Sequence, residues 1–322
     1  MYKYKINEKR YVKGKKGEVF MSKIEFKNLD IESLDRLQPF FDMTDYEACD
    51  YCFATMFMWR DTYKTKYHIE DDFAIVFGEY EGEIFSVLPL ASRENVKKAI
   101  DFAMNYFEEI ESKVYLRGIN KEMVDYVHSN YGDKFEYIEE RDLFDYIYDA
   151  ESLRTLAGRK NQKKRNHINY FLKEYEGRFE SRLLDIADFD DCRSLLDKWK
   201  VQKEDSDADV DDGEYVAIEK IFNNYDKLRG RVKVFGIYVD GALEAFSIGE
   251  KLKPNMALIH IEKANPEIRG LYPYINQKFL VDEFPDVEFV NREEDLGIEG
   301  LRKAKLSYHP VRFAEKYTVR EK

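Results

Sequence analysis

The sequence predicts an α/β protein with mixed sheets, built as two consecutive domains. Three observations carry this. The chain has 322 residues, which suits two ordinary domains. Apolar residues make up 44 % of it, enough for two cores. One order of elements (hairpin, helix, strand, helix, strand) occurs in each half with little residue identity between the copies, so it is a repeat of pattern. The expected division is a basic tail over 1–20, one domain over 21–150 and a second over 151–322.

In the first half, residues 73–90 read as two strands around Glu81-Gly82. Val96, Ile100, Ala103, Met104 and Phe107 follow at helical spacing, with Ser92 as the candidate N-cap. "KVYLRGI" is a strand, and the next helix is capped by Asn120 and stopped near Gly132. "FEYIEERDLFDYIYD" gives one or two strands. The second half opens with a helix over "LRTLAGRKNQKKRNHINYFLKEY". A hairpin then turns at Asp240-Gly241, the strongest hairpin signal in the chain. Strand "NMALIHIEKAN", helix "YPYINQKFLVDEF" with Pro273 in its first turn, strand "VEFVN", short helix "IEGLRKAKLS" and final strand "VRFAEKYTV" complete it. A helix precedes each hairpin, and each such helix holds one of the two tryptophans, Trp59 and Trp199. This order is also that of the GNAT acyltransferase fold, so the expected architecture is a tandem of GNAT-like acyltransferase domains.

The net charge of −12 makes the chain a poor generic nucleic-acid binder, so any such contact needs a local basic patch. No apolar run reaches the ~20 residues of a spanning helix, and no signal-peptide pattern is visible. Three cysteines argue against a disulfide scaffold and for a cytoplasmic location. The pair in "CDYC", Cys49 and Cys52, has metal or redox spacing. It lacks a second pair and its flank "FATMFMW" looks like a packed helix, so a structural role is the expectation and no metal is assigned. The acidic run Glu204–Asp212 fails the calcium-loop pattern, with Asp212 and Ile218 where glycine and glutamate are needed.

Three stretches carry candidate chemistry. Five of the seven residues from Arg159 to Arg165 are cationic. Arg159, Lys160, Lys163, Lys164 and Arg165 are read as a phosphate- or RNA-binding face, against a simply solvated helix. Glu262 and Lys263 come late on a probable central strand, where charge is costly unless paired or functional. The loop "RGLYP" then leads into a helix whose N-terminal amides suit an anion. In CoA-dependent enzymes of this fold that loop is a glycine-rich cradle; here only Gly270 fits and Pro273 lacks an N–H, so CoA is disfavoured and no cofactor is expected. The third stretch is "FVNREEDLGIEGLRKAKLSYHP". Glu293, Asp295 and Tyr308 (with Glu262) are candidate catalytic residues; Asn291, Arg302 and Lys305 (with Lys263) are candidate substrate ligands. As a site, Asn291, Glu293, Arg302 and Tyr308 should face one another. As an internal lock, the carboxylates should be paired within the fold.

"LRTLAGRKNQKKRNHINYF", "HIEKAN", "YINQKF" and "NREEDLGIEGLRKAKLSYHP" together resemble the bacterial DUF2156 group. That group is similar to the C-terminal domain of phosphatidylglycerol lysyltransferase. The resemblance covers roughly residues 21–322. It implies two fused GNAT-like domains, as in Fem-type transferases, and transfer of an aminoacyl group from aminoacyl-tRNA to an amine or hydroxyl acceptor. On that reading Glu293 or Asp295 would deprotonate the acceptor, Arg302 and Lys305 would hold tRNA phosphates, and Tyr308 would donate to the leaving oxygen. An acyl-CoA-dependent N-acyltransferase and a non-catalytic ligand-binding module are the rival readings.

Overall fold

A computed structural model describes residues 10–13, 19–22, 24–204 and 212–322. The tail expected over residues 1–20 and the acidic run from Glu204 fall mostly outside them. Within the tail, Arg10–Lys13 pairs antiparallel with Val19–Ser22.

The described chain forms two compact units whose segments interleave. One comprises Met1–Tyr46, Trp59–Arg141 and Glu315–Lys322; the other comprises Glu47–Met58 and Asp142–Ala314. The division is not a single cut near residue 150. A twelve-residue segment of the first half lies with the second unit, and the last strand lies with the first.

In the first unit the sheet runs in the order Lys27–Asn28, Lys66–Ile69, Phe73–Tyr80, Glu83–Val87, Tyr115–Ile119, Tyr317–Glu321, Phe135–Glu139, with Leu90–Ala91 paired to Phe73–Tyr80. The hairpin turns at Glu81-Gly82, both left-handed. Asn120 caps its helix by accepting from the Met123 amide, and Gly132 ends it at φ +73°. Ser92 is not a helix cap. Its carbonyl closes a turn onto the amides of Asn95 and Val96, and the helix Val96–Glu109 begins behind Asn95.

In the second unit the sheet order is Phe179–Leu183, Lys233–Val239, Ala242–Lys253, Met256–Ala264, Phe289–Asn291, Asp145–Asp149, Arg312–Ala314. Its long hairpin turns at Asp240 (φ +52°) and Gly241 (φ +82°), the left-handed pair that matches strand twist. Met256–Ala264 is the middle strand. It runs parallel to Phe289–Asn291, and the pairing ends at Leu258 opposite Asn291. Past that point the middle strand continues to Ala264, so the two strands part. Ligands of open sheets sit where strands part. The helix Leu271–Glu283 seals one face with Ile275, Phe279 and Leu280, against Tyr146, Phe171, Phe235 and Phe284.

Two expected elements are broken. The helix expected from Leu153 stops at Thr155 and resumes at Gln162. Leu156 (φ +49°) and Gly158 (φ +84°) are left-handed, and the Arg165 guanidinium donates to both their carbonyls, satisfying oxygens that the helix end leaves open. The final strand is also two: Arg312–Ala314 pairs with Asp145–Asp149, and Tyr317–Glu321 joins the other sheet.

Candidate functional site

Where the strands part, the polypeptide after Asn291 leaves the sheet as a tight, partly left-handed loop. Glu293 (φ +55°) and Leu296 (φ +52°) occupy a region unfavourable for side chains, and Gly297 (φ +74°) one that suits glycine. The fully buried Asn291 organises the turn. Its Oδ1 accepts from the Glu293 amide at 2.7 Å, and its Nδ2 donates to Asp145 Oδ2 at 2.9 Å and to the Glu47 carbonyl at 2.7 Å. Consecutive side chains therefore leave in different directions.

Arg292 turns towards the end of the middle strand. One guanidinium nitrogen donates to Glu262 Oε1 at 3.2 Å, and the group lies 4.9 Å from the Tyr308 ring centre. Its other terminal nitrogen, Nη1, is buried without a hydrogen-bond partner. Glu262 also accepts from Asn276 Nδ2 at 3.0 Å, and Asn276 Oδ1 is likewise buried and unpartnered. A spare donor and a spare acceptor thus flank one carboxylate. Both cost free energy unless a further group supplies the missing bonds.

Cations gather on the same side. Lys164 lies 4.0 Å above the Tyr308 ring and donates to the Ser307 carbonyl at 2.7 Å. Lys305 donates to the carbonyls of Arg292 and Glu293. Burial and the neighbouring Arg292 push both lysines below their ordinary pKa. Burial drives the Tyr308 phenol up to about 12, so it stays a neutral donor at physiological pH. Arg159, Lys160 and Lys163 are exposed, whereas Arg165 is spent on the broken helix. The expected basic face is therefore split between free cations and structural ones.

Glu293 turns the opposite way, into a buried cluster. Its Oε1 lies 3.0 Å from His260 Nδ1. His260 Nε2 lies 3.1 Å from Glu250 Oε1, and the Cys52 thiol donates to that same oxygen at 3.0 Å. The strands opposing each other here slip in register: Ile248 faces Ile261 while Gly249 faces Ile259, leaving His260 as the extra residue of a bulge. Gly249 is needed for this, since a β-carbon there would meet the Leu258 carbonyl at 2.7 Å. Burial works against an imidazolium, but hydrogen bonds with Cys52, Glu250 and Glu293 outweigh it and raise the His260 pKa well above the usual value. Burial, with Glu250 adding, pushes the Cys52 thiol up, and burial raises Glu293. Cys49 belongs to a neighbouring group: its sulfur lies 3.4 Å from both Asp145 Oδ1 and Glu294 Oε2. The flank "FATMFMW" is the packed helix expected, Phe53–Trp59; the two cysteines lie just before it, in and after a 3-10 turn, and face carboxylates.

Asp295 and Arg302 form a separate lock. The fully buried Asp295 takes two bonds from Arg302, at 2.9 and 2.6 Å, one from Tyr146 and one from the Gly297 amide. Burial alone would raise its pKa, but these donors win and hold it far below the carboxylate range. Lys263 points away from Glu262, as alternation on a strand requires; it donates to Glu214 at 2.7 Å and lies 3.7 Å from the Trp199 ring centre. Asn291, Glu293, Arg302 and Tyr308 therefore do not face one another. They serve four environments, and the residues that meet are Glu262, Asn276, Arg292 and Tyr308, with Lys164 and Lys305 beside them. The sequence reading assigns no role to Asn276 or Arg292. The only signal for Asn276 was an amide on the apolar side of its helix.

Known proteins share the fold and the family of this chain. A crystal structure of a conserved protein of unknown function from Bacteroides thetaiotaomicron is 30 % identical, with a TM-score of 0.85, covering 93 % of this chain and all of that one. The C-terminal DUF2156 domain of a putative lysylphosphatidylglycerol synthetase from Agrobacterium fabrum has a TM-score of 0.65 at 12 % identity, covering 90 % of this chain and 92 % of that one. An uncharacterized protein of Mycoplasmoides gallisepticum is 24 % identical over 235 residues, 72 % of this chain and 73 % of its own. The chain shares the mixed α/β fold of that C-terminal DUF2156 domain. Residues 41–320 match the family described as phosphatidylglycerol lysyltransferase, C-terminal, and the chain belongs to that family.

Proposed function

We propose that this acyltransferase-like protein moves an aminoacyl group from aminoacyl-tRNA to an amine or hydroxyl acceptor, and that the reaction is centred on Glu262, Arg292 and Tyr308. The observation that carries the reading is the buried, unpartnered Arg292 Nη1 beside Glu262 and Tyr308. A spare guanidinium donor in a dry site suits an oxygen that gains negative charge. In the proposed step the acceptor nitrogen or oxygen attacks the ester carbonyl carbon and bonds to it. The ester bond to the ribose oxygen breaks. The acceptor gives its proton to Glu262, and the leaving ribose oxygen takes one from Tyr308, which Glu262 then restores, so that the ribose departs as a hydroxyl. Arg292 faces the carbonyl oxygen throughout. Glu293 and Asp295, the carboxylates expected to do this work, pair with His260 and Arg302, whereas Glu262 pairs with Arg292 itself.

The cations on the same side suit the phosphates of a tRNA 3′ end: Lys164 and Lys305 at the rim, Arg159, Lys160 and Lys163 beyond it. Family membership supports an aminoacyl donor. CoA has less support. Gly270 (φ +91°) starts the helix Leu271–Glu283, but a β-carbon there would lie 2.1 Å from the His167 carbonyl, so its bare face is used for helix packing. Among the described residues no helix is long and apolar enough to cross a membrane, so the acceptor is proposed only as an amine or hydroxyl.

The test offers the protein a pool of labelled aminoacyl-tRNAs and follows label into small-molecule and lipid fractions. Tyr308→Phe and Glu262→Gln should each slow transfer by about 10²-fold or more while tRNA binding persists. Low-micromolar CoA binding with no affinity for tRNA would overturn the reading in favour of an acyl-CoA enzyme.

A further inference from the structure

The cluster around Cys52 lies outside the proposed reaction, and its donor set has a chemistry of its own. Cys52 Sγ, Glu250 Oε1 and His260 Nε2 form a triangle with edges of 3.0, 3.1 and 4.0 Å. Bond lengths of ~2.3 Å to sulfur and ~2.0–2.1 Å to nitrogen or oxygen place the donors of a tetrahedral zinc roughly 3.4–3.6 Å apart. The observed edges bracket that range, so shifts of about half an ångström would seat an ion. We infer that Cys52, Glu250 and His260 bind a zinc ion.

Three features support this. Thiolate, imidazole and carboxylate together select zinc over the oxygen-loving calcium and magnesium. Thiolate and Glu250 balance the two positive charges, leaving the imidazole neutral. His260 turns Nε2 to the other two donors and Nδ1 to Glu293, 3.0 Å away. A metal-bound histidine characteristically gives its second N–H to a carboxylate, which fixes tautomer and ring orientation. The register slip at Gly249 aims the ring there. Three protein donors leave one position for a small donor such as water. A nucleophilic Cys–His pair explains the geometry less well. Glu250 Oε1 contacts both partners more closely than they approach each other, and both the Cys52 thiol and the imidazole are buried.

The ion would be a staple. Cys52 comes from the segment Glu47–Met58, contributed from the first half of the chain, whereas Glu250 and His260 lie on adjacent strands of the second unit. One metal would tie that segment to the sheet.

The full chain should be loaded with zinc, exchanged into metal-free buffer and assayed for metal. About one retained equivalent is expected, and X-ray absorption should show one sulfur neighbour at about 2.3 Å. Cobalt loading should give a sulfur-to-metal charge-transfer band that Cys52→Ser abolishes and Cys49→Ser keeps. No retained metal, or a retained metal without a sulfur neighbour, overturns the inference, and both readings use the parent chain should Cys52→Ser fail to fold. Loss of the band in Cys49→Ser with retention in Cys52→Ser would move the ion to Cys49, Asp145 and Glu294 and equally overturn it.

Discussion

Arg292 and Glu293 are neighbours in sequence and opposites in surroundings. Arg292 meets Glu262 and Tyr308 with one donor left over; Glu293 is committed to a buried histidine. Two residues on, Asp295 accepts four hydrogen bonds and has little left to offer. A run of charge near a strand end is thus not one functional unit. The left-handed backbone at Glu293 deals its members to separate places, and the member left with an unmet bond, Arg292, centres the proposed site.

The comparison can be broken most forcefully at the buried histidine. His260→Ala strips the partner from the buried Glu250 and the half-buried Glu293 and should destabilise the protein by about 3 kcal/mol in denaturant titrations. A loss under 1 kcal/mol would mean that the cluster is not a lock. Gly270→Ala forces a β-carbon against the His167 carbonyl from a left-handed backbone, at about 2–4 kcal/mol. A neutral result would return Gly270 to the pool of ligand-cradle candidates.

Asp295→Asn is expected to lower the melting temperature by a few degrees at neutral pH. Its pH dependence is the sharper readout. The folded carboxyl titrates well below its unfolded value of ~3.9, so its contribution is complete above about pH 4–5 and is lost as pH falls through the folded pKa. The gap between parent and variant should therefore narrow in acid. A gap that widens there would contradict the assigned pairing.

The smallest effect on stability should come from replacing Arg159, Lys160 and Lys163 together with alanine. All three are exposed, and the change should stay within about 0.5 kcal/mol. The same variant should flatten the salt dependence of tRNA binding by about two in log–log slope. An unchanged slope would detach these cations from the RNA.

Much of the fold was legible because local chemistry agreed with it. Asp240-Gly241 permits few turns other than the one observed, and Asn120 and Gly132 bracket their helix, whereas Glu262 and Lys263, read together, lie on opposite faces. Legibility failed where a distant segment decided the outcome. "CDYC" does border an apolar helix, but nothing local says that Cys52 meets Glu250 and His260 from some two hundred residues away. "VRFAEKYTV" reads as one strand because nothing local says that its halves serve different sheets. The stretch from Asn291 announced its importance by composition. Its division of labour depended on a backbone turn at a glutamate, which no propensity predicts.

The strand Tyr317–Glu321 lies between Tyr115–Ile119 and Phe135–Glu139 in the sheet of the first unit. On the ribosome, both neighbours emerge long before it does. The first unit must wait with two unpaired strand edges until the residues of the second have been made, and such edges invite mispairing. The order of synthesis is therefore not the order of completion. A sheet begun before the second unit is closed by a strand made after it, and refolding of the whole chain should be limited by that late, long-range closure.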